Sequence, residues 1–455
     1  MQRIEQPEGG MSRGEFRAAL SLSSVYALRM LGLFMILPVF ALYAGDLEGV
    51  TPTLTGLAIG IYGLTQALLQ IPAGLLSDRI GRKPVIIGGL LVFALGSVVA
   101  ALADSMLVVI LGRALQGAGA IAAAIMALAA DLTREQHRIK AMALIGMSIG
   151  LSFALALVLG PVLNDWVGVP GIFAITAVLA LGGILVVGFV VPRPVVSRPH
   201  RVAEAIPEQF GRVLRQTQLL RLDFGILMLH AILTASFVVL PLILRDQAGV
   251  AASAHWKIYL PVLVCSVLAM LPLIIMAERK GRVRPVFLSA IALLIAAELG
   301  LFLLPVTLYS VVFMMFVFFT AFNLLEAMLP SLISRIAPAD CRGTAMGFYS
   351  SSQFFGAFLG GALGGVLHQY AGTHAVFLCS AIGAALWLLL ALSMSRPEKL
   401  SSYIYKIAGG EPEAAEQLAQ RLLALAGVAE AVVVAEEGVA YLKVDKRVFD
   451  ETSLP

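Results

Sequence analysis

The sequence predicts an all-α membrane protein of twelve spanning helices in two six-helix halves, followed by a small α+β domain. Three observations carry that prediction. Of 455 residues, 59% are hydrophobic and 13% charged, with a mean hydropathy of +0.92; a soluble globular chain is nearer half apolar and a quarter charged. No soluble core could bury so much apolar side chain without a sticky surface, so lipid is the solvent. Twelve stretches reach the roughly 20 apolar residues that cross a bilayer, and the chain repeats itself at a nearly constant offset.

The expected spans are 18–43, 53–77, 84–103, 106–130, 139–163, 171–191, 222–244, 256–277, 285–304, 307–334, 343–369 and 373–395. Between the sixth and seventh, 192–221 has no long apolar run and carries Pro192, Pro194, Pro199 and Pro207. It reads as a cytoplasmic linker between an N-terminal half, 16–191, and a C-terminal half, 222–395. Loops after even-numbered spans hold Arg79, Arg82 and Lys83, then Arg134, Arg138 and Lys140, the linker arginines, Arg279 through Arg284, and Arg335 with Arg342. Loops after odd-numbered spans hold only Arg245 and Lys257. The positive-inside rule therefore puts both termini in the cytoplasm. The polar first fifteen residues and the long apolar run behind them argue against a cleavable signal peptide. Cys265, Cys341 and Cys379 lack CxxC spacing, so neither a disulfide framework nor a zinc site is expected.

The repeat is visible in charges and glycines. Gly74-Leu-Leu-Ser-Asp-Arg-Ile-Gly-Arg-Lys-Pro84 has a loose counterpart in Ala277-Glu-Arg-Lys-Gly-Arg-Val-Arg-Pro285. Arg138-Ile-Lys-Ala-Met-Ala143 aligns with Arg342-Gly-Thr-Ala-Met-Gly347, and Gly160 through Gly168 with Gly364 through Gly372, both at an offset of 204. An even number of spans per half preserves orientation, so the halves are parallel repeats about an axis along the membrane normal.

The first charged knot is no phosphate cradle, since it lacks the Lys-Ser/Thr end and the preceding strand of a P-loop. Its chemistry suits a tether. Asp78 can cap the N-terminus of a neighbouring helix, where unpaired N–H groups favour an anion. Arg82 can reach a carboxylate on another helix, and Asp131 at the end of the fourth span is the natural partner. Gly74 and Gly81 allow close approach and a tight turn.

These residues carry a resemblance. Gly74-x-x-x-Asp78-Arg79-x-Gly81-Arg82-Lys83 resembles the loop 2–3 signature of the major facilitator superfamily. Arg113-x-x-Gln116-Gly117-x-Gly119-Ala120 and Gly160-Pro161 resemble its further signatures, and the likeness covers 16–395. Within that family the chain looks most like YajR-type transporters, which add a ferredoxin-like domain after the twelfth helix. The resemblance implies a gate that locks the outward-open state from the cytoplasmic side. It also implies a bacterial cytoplasmic (inner) membrane location and a central cavity lined by the first, fourth, seventh and tenth helices. One departure stands out: proton-coupled drug antiporters continue Gly-Pro-x-x-Gly-Gly, whereas this chain reads Gly160-Pro-Val-Leu-Asn-Asp165.

Ionisable groups inside spans are costly and mark function. Glu326 in the tenth span and His230 in the seventh are the proton-site candidates, each with a packed, hydrogen-bonded alternative. Arg29 and Arg113 are candidate cavity cations, although Arg113 could instead hold backbone carbonyls. Glu298 in the ninth span reads as an interhelical bond or an interface residue. Gln66, Gln70 and Asn323 could contact substrate or join helices, and Phe34, Phe237, Phe322, Phe354 and Phe355 could line an apolar cavity.

After Pro397 the composition turns soluble. A strand at 403–407, a helix at 411–426 and a hairpin of 431–434 with 439–444 give a βαββ order over 398–455 resembling ferredoxin-like metal carriers. The loop Ala408-Gly-Gly-Glu411 has no thiol, so copper carriage is not expected. The chain stops at Pro455, where that domain type places a second helix, so an incomplete copy is expected.

The expectation is a proton-coupled secondary transporter, an exporter working by alternating access, with protons, a small-molecule substrate and lipid as partners. It needs no cofactor and acts as a monomer, with neither enzymatic activity nor nucleic-acid binding. The alternatives are a small-metabolite importer and a non-transporting membrane sensor whose output is the tail.

Overall fold

A computed structural model describes residues 10–192, 205–338, 340–394, 401–407, 412–434, 438–445 and 448–454. The first half comprises α1 (Arg13–Phe34), α2 (Phe40–Tyr43), α3 (Pro52–Ile80), α4 (Arg82–Ala101), α5 (Met106–Ala118), α6 (Ala122–Asp131) and α7 (Glu135–Leu185). The short α8 (Phe210–Leu214) precedes α9 (Thr217–Asp246), α10 (Trp256–Arg279), α11 (Val283–Leu303), α12 (Leu308–Ile336), α13 (Arg342–Ala371) and α14 (Thr373–Leu392). The tail adds β1 (Ser401–Lys406), α15 (Pro412–Leu423), β2 (Val428–Val434) and β3 (Val439–Val444).

Among the described residues, nine helices are long and apolar enough to cross a membrane. The 51-residue α7 contains two crossings. Ser148, Ser152 and Gly160 meet Ser23, Ala27 and Met35 of α1 in ascending order, whereas Thr176 and Gly183 meet Gly32 and Val25 in descending order. The chain therefore runs along α1 and returns, turning at Gly168. Helices α1, with Arg29 in its middle, and glycine-rich α13 fall below that apolarity and bring the crossings to twelve.

Two spans depart locally from expectation. The first, expected at 18–43, ends as α1 at Phe34 and resumes as α2 beyond Pro38, which cannot donate a backbone hydrogen bond. The fourth, expected at 106–130, breaks between Ala118 and Ala122, inside the glycine signature. The fifth and sixth part, as expected, at Gly168, whose φ of 68° and ψ of 176° are not helical.

The duplication extends to backbone geometry. Gly49 and Gly249, Gly81 and Gly281, and Gly168 and Gly372 are three corresponding pairs with φ between 66 and 99°, a region closed to most side chains. Arg138 donates Nε to the Ala130 carbonyl at 3.3 Å, and Arg342 donates Nη2 to Ser334 at 3.3 Å. Each arginine thus meets carbonyls at the end of the preceding helix, where the helix dipole favours a cation.

The halves meet most closely where α3 crosses α13. Gly56, Gly60 and Gly63 face Gly361, Gly365, Phe358 and Phe354, backbone against backbone. A Cβ on Gly361 would lie 2.5 Å from the Gly56 carbonyl oxygen and 2.8 Å from Gly60 Cα. Such an approach needs small residues on both helices. Near the same end, the Thr53 N–H donates to Gln369 Oε1 at 3.2 Å. The other face of α13 presents Gly356 and Gly360 to the backbone of Leu227 and Ala231 on α9.

In the tail, β3 is central and antiparallel to both neighbours, in the order β1-β3-β2. Leu442, Ala440 and Val444 pack on Leu422 of α15. Lys443 Nζ donates to the Ile336 carbonyl at the end of α12 at 3.2 Å and pairs with Glu430 at 3.4 Å. Burial pushes the Lys443 ammonium below its usual range, against the pull of Glu430. The linker reaches the same corner: Gln209 bonds the Asp340 carbonyl and Thr344, and Arg212 pairs with Asp340 at 2.8 Å. Loop 408–411 and most of the 435–438 turn lie outside the described residues, as do linker residues 193–204.

In a chain whose native cysteines are replaced, Gly361→Leu should sharply reduce crosslinking between cysteines placed at Thr53 and Gln369. Gly88→Leu is the control, because a Cβ there meets nothing within 4 Å. Equal crosslinking in the two variants would remove the glycine crossing as the element that closes this end.

Candidate functional site: a charged knot and a buried triad

The knot forms because Gly81, at φ 99°, turns the chain from α3 directly into Arg82, the first residue of α4. Arg82 is buried. Its guanidinium bonds Asp78, lies 2.8 Å from Ser77 Oγ and places Nε 3.4 Å from Asp131 Oδ2. The pairing expected from the sequence is thus the geometry found, with Asp131 supplied by the end of α6. Asp78 differs from its expected role. Its described partner is Arg82, one turn along, rather than a neighbouring helix end. Gly74 packs against Ala123, Arg79 is exposed, and Lys83 Nζ donates to the Val191 carbonyl. Removing one partner of such a buried pair costs several kcal/mol, because it strands the other charge.

The second half holds an unanticipated counterpart. Glu278 at the end of α10 accepts two bonds from Arg335 Nη2 of α12, at 2.7 and 2.8 Å. Glu278 lies 200 residues beyond Asp78, and Arg335 lies 204 beyond Asp131. The link between the second and fourth spans is retained with acid and base redistributed. Half of the Glu278 side chain is exposed, so this pair contributes little to stability.

Besides Arg82, two further buried cations sit in the first half among the described residues. Arg113 donates Nε to the Ala58 carbonyl at 3.2 Å, Nη2 to the Ile59 carbonyl at 3.3 Å and Nη1 to Gln116 at 2.8 Å. It clamps α5 to α3, the geometry of the carbonyl-holding alternative. Arg29 bonds Gln66 Oε1 at 2.6 Å, and Gln66 passes the chain on to Gln70 at 3.2 Å. The Arg29 guanidinium lies over the Tyr62 and Phe93 rings at 5.5 and 5.3 Å. Asn323 donates to Ser266 at 3.0 Å, and Glu298 accepts from Ser236 at 3.1 Å; both join neighbouring helices.

The second half brings Glu326 and His230 together with a residue the sequence did not single out. Gln353 of α13 places Nε2 2.9 Å from His230 Nε2 and 3.2 Å from Glu326 Oε1. Glu326 Oε2 is 3.9 Å from His230 Nε2. His230 Nδ1 lies 3.3 Å from the Ile226 carbonyl. The Glu326 side chain is 36% exposed and His230 only 12%, but the carboxyl oxygen Oε2 beside the imidazole is itself buried. Phe322 lies over His230 at 5.8 Å and meets Phe153 of the first half at 5.9 Å. Phe153 also packs edge-on to Phe34, and Phe237 packs on Phe319, capping the triad with aromatic rings towards the glycine crossing. Phe354 meets Tyr62 across the halves, and Phe355 is partly exposed beside Phe358. Gln353 escaped notice because a lone amide in a serine- and glycine-rich span has no charge to flag it.

Comparison with known proteins gives the arrangement its context. The Major Facilitator Superfamily model matches residues 22–360 and 222–429, and the YajR YAM domain model matches 409–452. Inner membrane transport protein YajR of Escherichia coli is 48% identical over 438 residues, covering 96% of both chains. Multidrug resistance protein MdtH of Aeromonas salmonicida is 28% identical, covering 77% of this chain and 87% of its own. Among solved structures, a bacterial homologue of the lysosomal transporter Spinster, inward-facing and occupied, superposes with a TM-score of 0.68 at 14% identity. That match covers 86% of this chain and 98% of the homologue. The human organic anion transporter MFSD10 gives a TM-score of 0.62 at 17% identity, covering 84% of this chain and 100% of its own. With its two matched halves, its twelve crossings and its YajR-type tail, this chain belongs to the major facilitator superfamily of membrane transporters.

Proposed function

We propose that this protein is a proton-coupled exporter of a small molecule in the bacterial inner membrane, working by alternating access. The observation that carries the reading is the Glu326–His230 pair at the centre of the second half, 3.9 Å apart. A carboxyl and an imidazole held this close in a membrane can share a proton whose position depends on which side admits water. One proton moved through about 100 mV releases roughly 2.3 kcal/mol, enough for about a fifty-fold gradient. Resemblance to relatives named for multidrug resistance supports outward transport.

The arginine and lysine distribution orients the molecule, with the knot and both termini in the cytoplasm. The glycine crossing of α3 and α13 then lies at the periplasmic end, which is closed. In this state Asp78 is turned in to Arg82. In the opposite state α13 draws its cytoplasmic end towards the knot, and Asp78 meets the helix N-terminus at Arg342. The tail, touching α12 through Lys443, tunes this motion without carrying substrate. Protons, a small molecule and lipid are its partners, and the working unit is one chain.

Proteoliposomes test each part. Glu326→Gln should abolish accumulation driven by a pH gradient while leaving substrate exchange measurable; accumulation at the unmutated rate would remove Glu326 from the coupling. Asp131→Asn should slow transport about a hundred-fold or more, as loss of one partner of a buried charged pair predicts, and exchanging the charges at Arg82 and Asp131 should recover part of it. Transport at the unmutated rate in Asp131→Asn would refute the gate. A chain ending at Glu398 should still move substrate, and complete loss of flux from well-folded truncated protein would place the tail within the transport machinery.

A further inference from the structure

The hydrogen bonds around His230 define its proton inventory. The Ile226 carbonyl only accepts, so the 3.3 Å contact requires a hydrogen on Nδ1. A neutral imidazole protonated there offers a lone pair at Nε2. Gln353 Nε2, 2.9 Å away, fills that lone pair with one N–H and gives its second N–H to Glu326 Oε1 at 3.2 Å. Turning the amide over would set its oxygen against the lone pair, so this pattern assigns its orientation. The remaining carboxyl oxygen, Glu326 Oε2, is buried without a hydrogen-bond partner among the described residues and lies 3.9 Å from His230 Nε2. Glu326 Oε2 and His230 Nε2 are therefore the two atoms between which a proton would pass, and Gln353 occupies the receiving one.

We propose that Gln353 is a positioning residue that forbids proton transfer between Glu326 and His230 while α13 is seated on α3, and permits it when α13 leaves. This rests on the proton-site reading above and adds an interlock to it. The step is a simple transfer. A proton taken from water sits on Glu326 Oε2; its O–H bond breaks as an N–H bond forms at His230 Nε2. The pair changes from neutral acid and neutral imidazole to carboxylate and imidazolium, with no change in total charge. It cannot proceed until the Gln353 N–H withdraws.

The withdrawal is tied to the gate by the helix itself. Gln353 stands eight residues from Gly361, about 12 Å along one helix, and Gly361 is in backbone contact with α3. Movement of α13 away from α3 carries the amide with it. Tyr349 on α13 feels the charge of Glu326 and also that of Asp223 on α9. From α7 the triad is faced by the apolar ring of Phe153.

An interlock that fails leaks protons, and a leak can be measured without knowing the substrate. Liposomes loaded with a pH-sensitive dye, held under a pH gradient and collapsed membrane potential, report substrate-free proton entry. Gln353→Leu should raise that entry about tenfold, the rate change expected for loss of one hydrogen bond, and Gln353→Asn should raise it less. The double variant Gln353→Leu/Glu326→Gln should return to the unmutated level. If Gln353→Leu does not fold, Gln353→Met takes its place, and cysteine crosslinking between positions 53 and 369 verifies the closed fold. Unchanged leakage in correctly crosslinking protein would overturn the interlock, as would a leak that persists without Glu326. Accumulation that survives in Glu326→Gln alone would instead overturn the proton-site reading beneath it.

Discussion

The structure depends on one close approach, the crossing of α3 and α13 through glycines. A helix pair in lipid gains nothing from hydrophobic association, because the lipid is as apolar as the side chains. What holds the halves together here is backbone packing between Gly56, Gly60 and Gly63 on one side and Gly361 and Gly365 on the other. The same α13 lies against α9 through Gly356 and Gly360, within its own half. The α9 contact gives α13 a glycine pivot within its own half, and in the proposed cycle the α3 contact is the one that opens. Glycine serves both faces, but only the α3 face works as a closure.

The charged groups are arranged around that moving helix. Arg342, at its knot end, meets the last turn of α12 as Arg138 meets the last turn of α6. Gln353, midway along, bonds Glu326 and His230. Gln369, near its far end, bonds the start of α3. A displacement of α13 thus changes the knot end, the triad and the opposite closure together. The tail and linker converge on the α12–α13 junction through Lys443, Gln209 and Arg212.

Much of this was legible in the sequence, and the limits have a common cause. The twelve crossings, the duplication and the Arg82–Asp131 pairing follow from apolar run length and from charges and glycines at fixed offsets. The break near Gly119 and the role of Gln353 do not. In a soluble helix the polar face points outward and betrays its orientation. Here lipid-facing and protein-facing sides are both apolar, so which residues meet across a helix pair is hidden. Arg113 shows the effect: its charge suggested the pathway, but its position buries it against carbonyls that only the packing reveals. Glu278 and Arg335 were likewise visible as charges and invisible as partners, because exchanging acid and base between halves removes the residue-by-residue match.

The central claim is that the proton held by Glu326 sets the position of α13 relative to α3. Spin labels at Thr53 and Gln369, one on each helix, report that separation directly as pH is varied in lipid. The account predicts two separations whose populations change with pH in the unmutated chain, and one unchanging distribution in Glu326→Gln. A pH response of equal size in Glu326→Gln would contradict it.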